Sequence, residues 1–304
     1  MHTHVIQRFI DSHALPQSYA DDAELWFVPL AEELVVASKH NESIGSAPFV
    51  LGISGCQGSG KSTASELLET LLLDQGLVVA RLSLDDFYLS RRQREELAST
   101  AHPLLVTRGV PGTHDIGHAL KTLEALRDTH RSSGVALPRF DKPTDNPLPS
   151  KEWPMLPARY NRPAADILIF EGWCLGVTPQ SASELAPACN SLEQEEDQDG
   201  HWRGFVNEKL AGDYQSLFSK LDRLLFLEAP NFECVLNWRI RQEARLRTHG
   251  SRSSRPAPAL MSEAQVERFV QHFERLTRHC LLQLSSVADT VFELDTNQRI
   301  VGRR

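Results

Sequence analysis

The stretch Phe49-Val50-Leu51-Gly52-Ile53-Ser54-Gly55-Cys56-Gln57-Gly58-Ser59-Gly60-Lys61-Ser62-Thr63 decides the fold. Its first five residues are an apolar run too short for a helix and containing glycine, which predicts a buried strand. Gly55–Ser62 then matches G-x-x-x-x-G-K-[ST]. The glycines let the backbone curl so that successive N–H groups point at phosphate oxygens. Lys61 can reach the β- and γ-phosphates of ATP, and the Ser62 hydroxyl can ligate Mg²⁺. Ala64, Leu67, Leu68, Leu71 and Leu72 follow at helical spacing, with Gly76 suited to the helix end. The helix N-terminus adds its partial positive charge at the same place. Mg-ATP is therefore the expected ligand, held by Gly55, Cys56, Gln57, Gly58, Ser59, Gly60, Lys61, Ser62 and Thr63. Cys56 reads as a small filler, with a redox-sensitive role as the alternative.

Outward from this loop, Leu77–Leu82, Ile167–Phe170, Leu224–Leu227 and Thr290–Leu294 are further strand candidates, the last closing the sheet. Strands alternating with helices predict an α/β protein of the P-loop NTPase fold, a mostly parallel sheet with helices on both faces. Residues 1–47 read as an N-terminal helical extension interrupted by Pro29, and residues 48–304 as the nucleotide-binding domain. Residues 140–163, rich in Pro, Asp and Asn, read as a long ordered loop. Residues 191–201, with Glu193, Glu195, Glu196, Asp197 and Asp199, read as a solvated acidic loop. Residues 248–260 read as flexible and basic. A capping box restarts a helix at Ser262, with Val266, Phe269, Val270 and Phe273 on its buried face.

Composition narrows the partners. A net charge of −8 over 304 residues argues against a general nucleic-acid binder. Hydrophobic residues at 41% supply a substantial core. Five cysteines, odd in number and without a C-x-x-C pair, read as reduced thiols. No secretory signal and no apolar run of membrane-spanning length is present. The expectation is a soluble, cytoplasmic protein with a small-molecule partner, no membrane and no nucleic acid; oligomeric state is not readable.

The loop alone gives nucleotide binding, not a reaction. Neither the Asn-Lys-x-Asp motif of GTPases nor the Leu-Ser-Gly-Gly-Gln signature of transporter ATPases occurs. A tandem carboxylate does, in Ser83-Leu84-Asp85-Asp86-Phe87-Tyr88, at the C-terminal end of the second strand, where ligand crevices form. Asp85 there can accept the proton of an attacking hydroxyl; the alternative is a helix cap. For Asp86 a cap or a water-mediated Mg²⁺ contact competes equally. Glu171, ending Ile167-Leu168-Ile169-Phe170, can hold Mg²⁺ through water or orient the acceptor, or simply cap.

Together with Arg108-Gly109-Val110-Pro111-Gly112-Thr113-His114-Asp115, Pro138-Arg139-Phe140-Asp141-Lys142 and Phe170-Glu171-Gly172-Trp173-Cys174-Leu175-Gly176, these motifs resemble the D-glycerate 3-kinase family. That family sits in the larger group of uridine kinase, phosphoribulokinase and bacterial pantothenate kinase. The resemblance implies Asp85 as catalytic base, with Lys61 and the lid residue Arg241 stabilising charge, and Ser62, Glu171 and Asp85 near the metal. It implies Arg108, His114, Asp115, Arg139 and Phe140 as acceptor contacts; a bidentate arginine suits the carboxylate of glycerate. It also implies a lid near 239–262, carried by a helix with Arg239, Arg241 and Arg245. Two other readings stay open: a kinase for another hydroxylated acceptor such as a nucleoside or pantothenate-like compound, and a non-catalytic ATP-binding regulator.

Overall fold

The computed structural model describes residues 2–45, 48–249 (backbone alone from 242) and 261–304. Six strands form the main sheet: β1 Phe49–Gly55, β2 Val79–Ser83, β3 Ile167–Gly172, β4 Arg223–Glu228, β5 Thr290–Leu294 and β6 Ile300–Arg303. Their order is β6-β5-β4-β1-β3-β2, with every neighbour parallel except the β5/β6 pair. Thr290–Leu294 is therefore not the last strand; β6 returns antiparallel along its open edge.

Side-chain alternation divides the core between the two faces of the sheet. Val50, Leu82, Leu168, Phe170, Phe226 and Val291 pack on one side. Leu51, Ile53, Val79, Ile169, Leu227 and Phe292 pack on the other. Both sets are buried, which is why these strands read as continuous apolar runs. Aspartates at the strand starts fix the register. Asp166 accepts from Val78 N, Asp222 from Val50 N and Asp289 from Leu224 N, each at 2.7 Å.

The N-terminal helices Thr3–His13 and Val28–Ser43 join the second of these cores, burying Ile6, Phe9, Leu30 and Leu34 against Leu67, Leu71 and Phe292. Pro29 does not break this segment. It lies in the first turn of Val28–Ser43, where a missing N–H costs nothing, after one π-helical turn, Ala23–Phe27. Asp22 pairs with Arg299 at 2.6 Å, and Glu33 with Arg223 at 2.8 Å and Arg303 at 2.7 Å.

The acidic stretch 191–201 is not a solvated loop. Ser191–Glu196 is helical, and Glu193, fully buried, binds Arg275 at 2.6 and 2.7 Å while accepting from Cys189 N. Asp197, also buried, pairs with Arg203 and accepts from Trp202 N at the start of the next helix. The residues between 140 and 163 carry short ladders: Phe140–Asp141 with Asn146–Pro147 makes a hairpin, and Met155–Leu156 pairs with Val135–Ala136. The helix Glu263–Val287 begins at the expected Ser262–Gln265 capping box. The basic stretch expected at 248–260 falls outside the described residues from position 250 onward.

Because Leu34 is fully buried in the shared core, Leu34→Ala is expected to destabilise the protein by about 2–5 kcal/mol. Urea unfolding followed by circular dichroism measures it. A loss below about 0.5 kcal/mol would mean that the N-terminal helices do not share this core.

Candidate active site

In β1, β2 and β3 the parallel register puts the C-terminal ends together. Ser83 pairs with Glu171, and Glu171 with Ile53, two residues before Gly55. The phosphate-binding loop, Glu171 and the turn after β2 therefore share one edge of the sheet.

Gly58 and Gly60 in the loop have φ of +79° and +90°, the left-handed region that glycine adopts without strain. A Cβ on Gly58 would also lie 2.7 Å from Trp238 Cβ. Lys61 folds its ammonium onto Cys56 O at 3.1 Å, and the helix Lys61–Asp74 starts beside it. The hydroxyl of Ser59 is buried without a partner. These groups suit a bound phosphate: N–H-rich backbone, an ammonium that can swing out, and a spare hydroxyl. From the far side, Gln298 donates to Gly58 O, and Trp238 Nε1 to Thr296 O at 2.9 Å, so the β5–β6 turn lies against the loop. Cys56 is buried, and burial pushes its thiol up to about 12. A thiol in that state is unreactive, which favours the filler reading.

Ser62 donates to Glu171 Oε1 at 3.1 Å. Burial raises the Glu171 carboxyl, against the opposing pull of Lys61. No group of three or more His, Cys, Asp or Glu gathers to hold a metal alone among the described residues. A hydroxyl plus one carboxylate still fits Mg²⁺, which takes few protein ligands and completes its shell with phosphates and water.

After β2 the chain makes a single 3₁₀ turn, Leu84–Phe87, capped by a reciprocal box: Asp85 N donates to Ser83 Oγ and Ser83 N to Asp86 Oδ2. Asp86 is thus the capping carboxylate, and Ser90 caps the following helix through Gln93. Asp85 is left to point elsewhere. Its Oδ1 accepts from Tyr88 OH at 2.6 Å and its Oδ2 from Lys142 Nζ at 2.8 Å. Burial would raise this carboxyl, but Lys142, Tyr88 and Lys61 outweigh it and hold it at about 2. Ser62 and Glu171 are in direct contact, while the Asp85 oxygens engage Tyr88 and Lys142.

A cavity of about 210 Å³ opens between these groups, lined by Ser62, Asp85, Arg139, Phe140, Lys142 and Glu171 among others. Arg139 and Phe140 are among its lining residues. Arg139 also donates to Pro138 O at 2.7 Å and Arg81 O at 3.2 Å, and reaches Asp86 at 3.5 Å. Arg108 lies over the rings of Tyr88 and Phe140 (5.9 and 5.6 Å), tied to Asp145 at 2.5 Å. His114 and Asp115 sit one layer back. His114 is buried behind Tyr88, its Nδ1 within 2.6 Å of Tyr214 OH, and Asp115 caps Ile116–Arg127 through His118 N at 2.9 Å. Arg241 is exposed, near Thr296 O at 3.5 Å. The side chain of Arg245 lies outside the described residues.

No family model matches the chain. It is 35% identical over 234 residues to the Schizosaccharomyces pombe protein named "uncharacterized kinase mug58", covering 74% of this chain and 78% of that one. It is 28% identical over 243 residues to the chloroplastic D-glycerate 3-kinase of Arabidopsis thaliana, spanning 78% of this chain and 48% of the plant protein. This chain belongs to the D-glycerate 3-kinase family of P-loop kinases. It is accordingly a phosphotransferase. The solved D-glycerate 3-kinase of Cryptococcus neoformans shares the fold, with a TM-score of 0.70 at 23% identity over 92% of this chain and 99% of that one. No helix among the described residues of the kinase is long and apolar enough to cross a membrane.

Three features of the kinase site escaped the motif reading. Lys142 sits on Asp85, Tyr88 completes its shell, and Arg94 is a buried post that binds Asp145 at 2.6 Å beside Arg108. Lys142 and Tyr88 were visible as motif letters, but nothing in their spacing said which atom they would touch.

Burial also holds the His114 imidazole down to about 4. An unfolded histidine titrates near 6.5, so the unfolded chain takes up this proton first as pH falls. The stability His114 contributes above pH 6.5 is then lost between about 6.5 and 4, about 2–3 kcal/mol by pH 4.5. Urea unfolding at pH 7, 5.5 and 4.5 is expected to show a shallower loss in His114→Gln than in the parent. Identical slopes would mean that His114 is not buried neutral.

Proposed function

We propose that this kinase transfers the γ-phosphoryl group of ATP to a hydroxyl of D-glycerate, giving 3-phosphoglycerate or 2-phosphoglycerate. The observation that carries this reading is that Ser62, Glu171, Asp85, Arg139 and Lys142 line the same cavity. A hydroxy acid needs both a base for its hydroxyl and cations for its carboxylate. The plant and fungal relatives named D-glycerate 3-kinases support the acceptor.

ATP phosphates would take the loop N–H groups and draw Lys61 away from Cys56 O. Mg²⁺ would be held by Ser62 Oγ and the Glu171 carboxylate, where it neutralises charge on the phosphoryl oxygens. Asp85, kept ionised by its neighbours, would accept the proton of the attacking hydroxyl. Lys61, with Arg241 from the lid helix, would stabilise the charge on the transferring group.

Asp85→Asn keeps the size and removes the base. Turnover of glycerate is expected to fall by about 10²- to 10⁴-fold, with ATP affinity nearly unchanged by calorimetry. NMR of the product formed from glycerate and ATP identifies the phosphorylated hydroxyl. Turnover of uridine, pantothenate or ribulose 5-phosphate but not glycerate in a coupled ADP-release assay would overturn the acceptor. ATP binding with no turnover of any acceptor, or partner binding that follows nucleotide state and survives Asp85→Asn, would favour a regulator.

A further inference from the structure

The cations around the acceptor cavity differ in what holds them. Arg94 and Arg108 both bind Asp145, and Arg81 binds Glu66 at 3.2 Å and Glu69 at 2.8 Å. Arg139 spans two backbone carbonyls and Asp86. Each of these guanidinium groups is held by a carboxylate or carbonyls away from Asp85. Lys142 is held by Asp85 itself. It projects from the turn of the Phe140–Pro147 hairpin, its side chain 60% exposed, and its ammonium rests on Asp85 Oδ2 at 2.8 Å.

That contact raises a chemical difficulty for the proposed base. Asp85 Oδ1 already accepts from Tyr88 OH and Oδ2 from Lys142, so each oxygen carries a donor, and the positive ammonium on Oδ2 opposes the arrival of a hydroxyl proton there. Tyr88 is buried and anchored, stacked on His114 at 4.7 Å and edge-on to Phe140 at 5.2 Å. Lys142 is long, exposed and attached at a turn, so it is the partner that can leave. Lys142 is the exposed member of the pair, and exchanging one carboxylate partner for another keeps its charge paired throughout.

We propose that Lys142 is the acceptor-specificity residue, exchanging the Asp85 carboxylate for that of the incoming hydroxy acid and so uncovering Asp85 Oδ2. This rests on the acid-acceptor reading above. In the transfer, the acceptor oxygen bonds the γ-phosphorus while the bridge to the β-phosphate breaks. The electron pair of that bridge leaves with ADP, and the hydroxyl proton passes to the uncovered Oδ2. A neutral polyol, or water, brings no carboxylate to draw Lys142 away, so the base stays covered. Acid acceptors are thereby selected, and ATP hydrolysis is suppressed until one arrives.

The test compares D-glycerate with D-glyceramide, its neutral isostere, in the full chain and in Lys142→Met and Lys142→Arg. The parent is expected to prefer glycerate. In Lys142→Met, KM for glycerate is expected to rise about ten- to a hundred-fold, the loss of one charge-assisted contact. Glyceramide turnover holds or rises, acceptor-independent ATP hydrolysis increases, and Lys142→Arg keeps most of the preference. A Lys142→Met variant that slows both acceptors by the same factor, with the preference for glycerate intact, overturns the exchange and leaves Lys142 as a support for Asp85. Equal ATP affinity in parent and variant shows that the site is folded; should Lys142→Met not bind ATP, Lys142→Gln gives the same comparison. If the parent turns over no acid acceptor, the functional reading falls and this inference with it. Failure of the variant comparison alone removes only the exchange.

Discussion

Everything at the catalytic edge depends on the register of five parallel strands, and three aspartates hold it. Asp166, Asp222 and Asp289 each stand just before a strand and accept the backbone N–H of the neighbouring chain at 2.7 Å. Parallel pairing has no hairpin turn to set its alignment, so an anchor at the start of the strand does what a turn does elsewhere. Slipping β3 by one residue would turn Phe170 and Glu171 each to the face the other now occupies. It would part Ser62 from its carboxylate partner.

The segment 108–115 distinguishes frame from chemistry. Thr113 Oγ1 accepts from Gly109 N and donates to Val110 O, and Tyr214 OH accepts from Gly112 N. Gly109 has a φ of +128°, and a Cβ there would lie 2.4 Å from Phe273. Trp173 Nε1 donates to Gly109 O. Most of this signature is a stiff turn wedged against the helix Glu263–Val287. Arg108, over Tyr88 and Phe140, is the member that reaches the cavity's aromatic wall.

Where sequence and structure agree, the physics is local. The phosphate loop, the apolar strands and the Ser262 capping box depend on residues a few positions apart, so their pattern is visible along the chain. The failures have long-range causes. Glu193 and Asp197 looked like a solvated charge run because their partners, Arg275 and Arg203, cannot be inferred from composition. β6 is short and carries Gly302, leaving little periodicity to read. Lys142 meets Asp85 across 57 positions, through a hairpin whose turn includes Asp145 at a φ of +57°. For the site, the motif residues were legible; the contacts that decide their protonation and availability were not.

The joining of Asp22 to Arg299 spans 277 positions, and Phe27 meets Phe292 edge-to-face at 5.5 Å. The helices that carry Asp22 and Phe27 therefore complete their packing only after the β5–β6 hairpin has been synthesised. At roughly 5–20 residues per second, the N-terminal helices wait about 15–55 s for these partners. During that interval Ile6, Phe9 and Leu34, all buried in the finished protein, lack the part of their cover that the last strands supply. A kinase core that joins residues 22 and 27 to residues 292 and 299 cannot close until both stretches have been made.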